Sequence, residues 1–302
     1  MSTKPKHRAS RRPPDDDLPA LEEPSGNNGL LEVFRRRYLL RLLVRSTIDA
    51  RYQGTALGWV WSYLQPAVRF CMFYFVFQVL IGRGHGMENF AIHLFAGMVV
   101  VHFFTETFNG GTQSLVNNRG LIVKLAMPRE LFPVATMMVS FWHTGPMLVI
   151  LGTSCVVLGW TPDAMGVLAG LLGFVIVMSL GLALALVFSV ANVFLRDFGK
   201  ITQTLTQFVT FSVPMMYPFS LVQERFGAAA DYYLLNPVAE AVLLIQRCFW
   251  IGTTSDREAT IAEHLPADLF PRGVIMAAIS LVLLVLAQIF FTRLERRVPE
   301  RL

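Results

Sequence analysis

Long apolar runs separated by short polar stretches dominate the chain. Six of them, at about 59–81, 90–113, 133–159, 164–192, 204–222 and 272–292, have the length of a bilayer crossing and are predicted as membrane-spanning helices. Ahead of them, residues 30–47 place apolar positions at spacings of three and four, interleaved with Arg35, Arg36, Arg37, Arg41 and Arg45. That pattern predicts an amphipathic helix lying in the headgroup layer, where arginines meet lipid phosphate. The stretch 218–271 is too apolar for an ordinary loop. Within it, Asn236-Pro237 reads as an N-cap followed by proline at the first helical position. Val238, Ala241, Val242, Leu244, Ile245, Cys248 and Phe249 then follow at helical spacing. A short helix dipping into the outer leaflet, or packing on the spans, is predicted there. In the fifth run Pro214 and Pro218 are expected to break or bend the outer end. Residues 1–28 hold five prolines and a mix of both charges. They cannot bury apolar surface, so they are expected to form a disordered tail, leaving 29–302 as one membrane domain.

Composition narrows the class. Hydrophobic residues make up 54% of the 302 and charged residues only 16%, against roughly 25% charged in a soluble domain. A soluble enzyme, a disordered chain and a secreted disulfide scaffold are excluded, and the fold class expected is an all-α integral membrane protein. An even number of spans puts both termini on one side. That side would hold 20 Lys and Arg residues and the other five, so the excess of positive charge places the termini in the cytosol. Topology therefore accounts for the net charge of +5, and nucleic acid is not expected as a partner. Cys71, Cys155 and Cys248 are far apart, form no metal-ligand spacing, and read as small hydrophobes. No phosphate loop is present. Gly199-Lys200-Ile201-Thr202 lacks the glycine-rich turn that aims backbone amides at phosphates. Work against a gradient would need energy from a partner or an ion gradient.

Four stretches carry a resemblance. Residues 45–66 read RSTIDARYQGTALGWVWSYLQP, and 121–133 read LIVKLAMPRELFP. Arg196-Asp197 is followed by VPMMY at 213–217, and Asn236-Pro237 comes later. In this order, on six apolar runs, they resemble the permeases of ABC-2 polysaccharide exporters of the Wzm, TagG and KpsM types. Met127 stands where that family usually has an aromatic residue. The resemblance covers about 30–295. It implies six spans with a cytosolic interface helix and short outer-leaflet helices, the ABC-2 or type V exporter-like fold. It also implies a homodimer joined by two copies of a separate ATPase that binds ATP and magnesium, so this chain itself would hold no cofactor or metal. The cargo implied is a polyprenyl-pyrophosphate-linked glycan such as galactan, O-antigen or teichoic acid, carried across the inner membrane. The proline-rich charged tail resembles those of permeases from mycolic-acid bacteria, which leans toward a cell-wall galactan or O-antigen-like polymer. A permease of the same fold for a drug or a lipid is the rival. A secondary transporter should show an internal repeat, and a glycosyltransferase a cluster of catalytic acids; neither is apparent.

The candidate positions follow from this resemblance, each beside a plainer role. Tyr63, Phe70, Phe73, Tyr74 and Phe77 share a helical face, which would line a glycan channel or else pack between helices. Gln65 and Arg69, with Ser62, make a polar strip in the first span; Arg69 would meet the carrier's pyrophosphate or snorkel to the surface. Gln203, Gln207 and Thr210, with Thr206, either line the channel or bond a neighbouring helix. Arg119, Lys124, Pro128, Arg129 and Glu130 would form the coupling element that fits the ATPase, or simply a positive inner loop. Arg41, Arg45, Arg51, Tyr52, Trp59 and Trp61 would border the substrate's entrance from the interface helix, with the two tryptophans also reading as interfacial belt residues. Glu106 with His102 one turn earlier is a proton relay or a structural bond.

Overall fold

A computed structural model describes residues 29–80, 82, 87–124 and 127–295; the expected tail 1–28 lies outside them. Every regular element among the described residues is helical. In chain order these are α1 (Leu30–Arg35), α2 (Arg37–Tyr52), α3 (Gly58–Leu80, whose last turns are π-helical), α4 (Phe90–Asn117) and α5 (Arg119–Lys124). There follow α6 (Leu131–Val157), α7 (Ala164–Phe194), α8 (Phe198–Ser212), α9 (Phe219–Phe226) and α10 (Ala230–Tyr233). The last are α11 (Pro237–Phe249), α12 (Arg257–His264) and α13 (Leu269–Leu294).

Five helices, α3, α4, α6, α7 and α13, are long and apolar enough to cross a membrane. Each matches a run expected from the sequence. The sixth expected span does not form one helix. α8 has 15 residues, about 22 Å at 1.5 Å per residue, short of a hydrocarbon core of roughly 30 Å. It stops because Val213 precedes Pro214 and takes the extended conformation that position favours (φ −107°, ψ 151°). Val213, Met215 and Met216 in the break are buried, and Gln246 Nε2 donates to the carbonyl of Pro214 at 2.9 Å. The non-helical backbone is thus shielded by protein, as it must be within a bilayer.

α4 is the central helix. Residues 92–101 are all buried, and α4 packs on α6, α7, α8 and α11. Small residues set the distance to α7: a Cβ at Gly111 would collide with that of Ala185, while Gly181 faces Thr107. Close approach of this kind drives helix association where lipid leaves little hydrophobic gain. α7 offers α11 a further face of Gly166, Gly170 and Gly173.

The predicted helix after Asn236-Pro237 is α11. Asn236 Oδ1 accepts from the Val238 amide at 3.0 Å, and almost all of α11 is buried against α7, α4 and α13. Polar bonds fasten this cap to the rest of that end. Arg247 donates twice to Asp163, at 2.9 and 2.7 Å. Trp250 Nε1 donates to the Glu88 carbonyl and Asn89 Nδ2 to the Thr253 carbonyl, each at 2.7 Å. Asp163, just ahead of α7, is held below the usual carboxylate range by its bonds from Arg247.

The amphipathic segment forms two helices that break at Arg36 and run on to Tyr52. Val33 and Leu43 are buried in the core, and Arg35, Arg37, Arg41 and Arg45 are exposed. Phe34, Tyr38 and Leu42 also stand exposed, so the surface face is mixed rather than purely polar.

Candidate functional site

Charged and titratable side chains gather at the junction of α2, α3, α4 and α6. Glu106 of α4 accepts from Arg51 Nη1. His143 of α6 brings Nδ1 to 2.7 Å from the same carboxylate oxygen, and His102 brings Nε2 to 3.3 Å from the other. The Tyr52 hydroxyl lies 3.0 Å from His143 Nε2 and also bonds Ser62. Arg51 Nη1 also lies 2.8 Å from His143 Nδ1, so guanidinium, carboxylate and imidazole meet at one point. The Glu106 side chain is 13% exposed and that of Arg51 49%. A carboxylate withdrawn this far from water requires a cation and donors; Arg51 and the imidazoles supply them.

Local backbone explains why these groups meet. α2 continues past the amphipathic pattern and so delivers Arg51 and Tyr52. The chain then reverses through Gly54 (φ 76°) and Gly58 (φ 51°), conformations glycine adopts without a Cβ penalty. That reversal returns Ser62 to Tyr52. A cleft of about 670 Å³ between α2, α4 and α6 ends at Arg51 and Glu106, lined by Ser46, Thr47, Asn109 and Ser140 among others. The i, i+4 spacing of His102 and Glu106 is visible in the sequence. Their link to Arg51 and His143 is not, because it joins positions 55 and 37 residues from Glu106.

The other candidate positions divide. Phe73 is buried; Phe70 is half-buried, stacks on Tyr74 at 5.8 Å between ring centroids and meets Phe95 of α4 edge-on at 5.1 Å. Tyr63, Tyr74 and Phe77 are half-buried, so this aromatic face packs largely on the bundle. Gln65 and Arg69 are exposed. Arg69 borders a small recess with Pro66, His102 and Thr210, where α3 and α8 approach each other across α4. On α8, Thr206 is buried and accepts from Asn109 at 2.9 Å, whereas Gln203 and Gln207 are exposed and Thr210 is half-buried. No α5 residue is buried, and Arg119 and Lys124 are exposed. Pro128 and Glu130 are buried and Arg129 half-buried. Gln288 donates to Glu130 at 3.1 Å, and Arg129 donates to the Glu295 carbonyl, so these two bind α6 to α13 rather than standing free. Arg41, Arg45, Trp59 and Trp61 are exposed and Tyr52 half-buried. Among the described residues no group of three or more His, Cys, Asp or Glu could hold a metal ion.

The fold defines a multi-pass, all-helical membrane protein with a polar cluster between its helices. Its relatives give the kind. The chain is 27% identical over 263 residues to the O-antigen export system permease protein RfbA of Myxococcus xanthus, covering 86% of this chain and 94% of that one. It is 25% identical over 253 residues to a protein of the same name from Klebsiella pneumoniae, covering 81% and 91%. To the polysialic acid transport protein KpsM of Escherichia coli it is 22% identical over 223 residues, covering 69% and 80%. No protein-family model matches the chain. The chain is a homologue of the Wzm- and KpsM-type polysaccharide exporter permeases, the family its four motif stretches resemble. Proteins so named are transport subunits rather than enzymes.

Proposed function

We propose that this chain is the membrane subunit of an ATP-driven exporter that moves a polyprenyl-pyrophosphate-linked polysaccharide outward across the inner membrane, with both termini in the cytosol. The observation that carries the reading is an open polar face. Gln65 and Arg69 on α3, and Gln203 and Gln207 on α8, are exposed beside apolar side chains such as Leu64, Val68, Leu205 and Phe208. Uncovered polar and charged groups at this depth are costly against lipid. A second copy facing the first would enclose them in one channel, lined by weak polar contacts suited to a sliding glycan. The names of the relatives support glycan cargo. ATP hydrolysis belongs to a separate partner subunit, and the protruding α5, with Arg119 and Lys124, takes up its motion. Arg129 and Glu130 would pass that motion on through α6 and α13, to which they are bonded.

The test is depletion of the protein in its host, followed by analysis of lipid-linked glycans. Accumulation of a long polyprenyl-linked polymer on the cytosolic side is expected, and its sugars would distinguish galactan, O-antigen and teichoic acid. No accumulation, with lost export of a small amphiphile, would instead favour a drug or lipid permease.

A further inference from the structure

α2 is bonded to the bundle at one end. Its apolar residues Leu39, Leu40, Leu43 and Val44 rest on the core, but residues 45–51 are exposed apart from the half-buried Ile48. A cleft of about 670 Å³ separates this stretch from α4 and α6. The hydroxyls on its walls are turned away from it. Ser46 and Thr47 donate to the Leu43 carbonyl, and Thr136 and Ser140 donate to carbonyls of α6. Among the described residues, the side-chain hydrogen bonds from α2 to the long helices all come from Arg51 and Tyr52. Arg51 Nη1 meets both Glu106 Oε1 and His143 Nδ1, the latter at 2.8 Å, while Nδ1 lies 2.7 Å from the same Oε1. Accepting from Arg51 requires a lone pair on Nδ1. That puts the imidazole proton on Nε2, where it donates to the Tyr52 hydroxyl at 3.0 Å. A proton added at Nδ1 ends this arrangement. The nitrogen turns from acceptor to donor toward Glu106, and two cations then face each other across 2.8 Å. The His143 side chain is 4% exposed and has no route to water, whereas that of Arg51 is 49% exposed; the guanidinium is the group that leaves. The other ionisable groups around His143 are Tyr52 and, through Glu106, His102; beyond His102 stands Arg69 of α3. α3 itself brings the Ser62 hydroxyl, and α7 has no ionisable side chain. The cleft runs from the exposed Asn117 at the end of α4 to Arg51 and Glu106, a path for water and protons from that side.

We propose that Arg51 and Glu106 form a proton-operated latch: protonation of His143 from the cytosolic side displaces Arg51 and frees the 45–51 stretch of α2 to move over the cleft. Tyr52 keeps its bond from Nε2 in both states and serves as the pivot. It stands next to the reversal at Gly54 and Gly58, where a Cβ would meet nothing within 4 Å, so the corner has room to turn. Imidazole is the side chain whose charge changes between pH 5 and 8, and the position of α2 therefore follows cytosolic acidity. The latch does not depend on what the protein carries.

The test uses the full-length chain in lipid nanodiscs, diluted with unlabelled chain so that each measured pair lies within one protomer. Spin labels are placed at Arg45→Cys on α2 and Asn117→Cys on α4 in a Cys71→Ala background; Cys155 and Cys248 are buried. The distance between the labels is read by pulsed electron resonance from pH 8 to pH 5.5. A single distance is expected at pH 8. A second should appear as pH falls, its ratio to the first growing by up to about tenfold per pH unit, as for one proton. This titration leaves the cluster unaltered, so it decides the matter even where a cluster variant fails to fold. His143→Gln should keep the pH 8 distance throughout, and Arg51→Gln should show the second distance already at pH 8. One distance at every pH would overturn the latch. So would an unchanged titration in His143→Gln, which would place the proton on another group, or an Arg51→Gln chain that holds only the first distance.

Discussion

Glu106 lies between one guanidinium and two imidazoles, drawn from three helices. Removing Arg51 leaves the carboxylate in poor contact with water, so the pair should be strongly coupled. A double-mutant cycle of Arg51→Gln and Glu106→Gln, read from unfolding in detergent, should return about 1–3 kcal/mol of coupling. A value near zero would mean that solvent screens the pair and that it does not join α2 to α4. Glu240 is the opposite case. It is fully buried in α11, and neither carboxylate oxygen has a partner among the described residues. Burial pushes its carboxyl up to about 8, only partly offset by Arg272. In the folded protein Glu240 therefore keeps its proton between about pH 4.5 and 8, whereas in the unfolded chain it loses it. Stability is greatest below that window and falls as pH rises through it. Glu240→Gln should flatten this dependence and raise the thermal midpoint at pH 8; an unchanged pH profile would show that Glu240 finds a cation the fold does not display.

At the scale of elements, five spans were legible because length and apolarity alone define them. The N-cap of α11 was legible from Asn236-Pro237. The shortness of α8 was legible only in part: Pro214 and Pro218 foretold a break, but not that Val213–Met216 would be buried with the Pro214 carbonyl bonded by Gln246. The aromatic face of α3 was visible as periodicity, yet its packing on Phe95 depends on a helix crossing that spacing does not encode. Glu130 looked like part of a surface charge pair because its neighbours are polar; Gln288, 158 residues away, takes it into the interior. Two glycines illustrate how context decides. A Cβ at Gly170 would lie 2.8 Å from Cys248 Sγ, so Gly170→Leu should destabilise the cap by about 1–3 kcal/mol or more, while Gly145→Leu should leave the thermal midpoint nearly unchanged. Equal midpoints for the two variants would show that α11 does not seat on α7 this closely. α5 makes a contrasting prediction. Since none of it is buried, reversing Arg119 and Lys124 to Glu should leave the midpoint unchanged but stop glycan export; export at the normal rate would remove α5 from the coupling path.

For the whole molecule, the uncovered polar face predicts assembly. In a Cys71→Ala background, Gln203→Cys should give a cross-linked dimer on mild oxidation of membranes. Val285→Cys, on the exposed apolar side of α13, should not. Equal cross-linking at both positions would indicate random collision rather than a specific channel interface.

The buried α11 also bears on how the protein is made. The glycine face of α7 is filled by a helix that follows it by more than 40 residues in the chain. A ribosome that has just released α7 into the bilayer has therefore left an unfilled furrow behind it. α8 cannot fill it and is too short to anchor itself across the membrane. The nascent chain must hold α7 in waiting until the segment after Pro218 has been made. A polypeptide stopped at Ser212 would carry most of the apolar sequence yet present an open seam to quality-control proteases, and its half-life in the membrane should be much shorter than that of the complete chain.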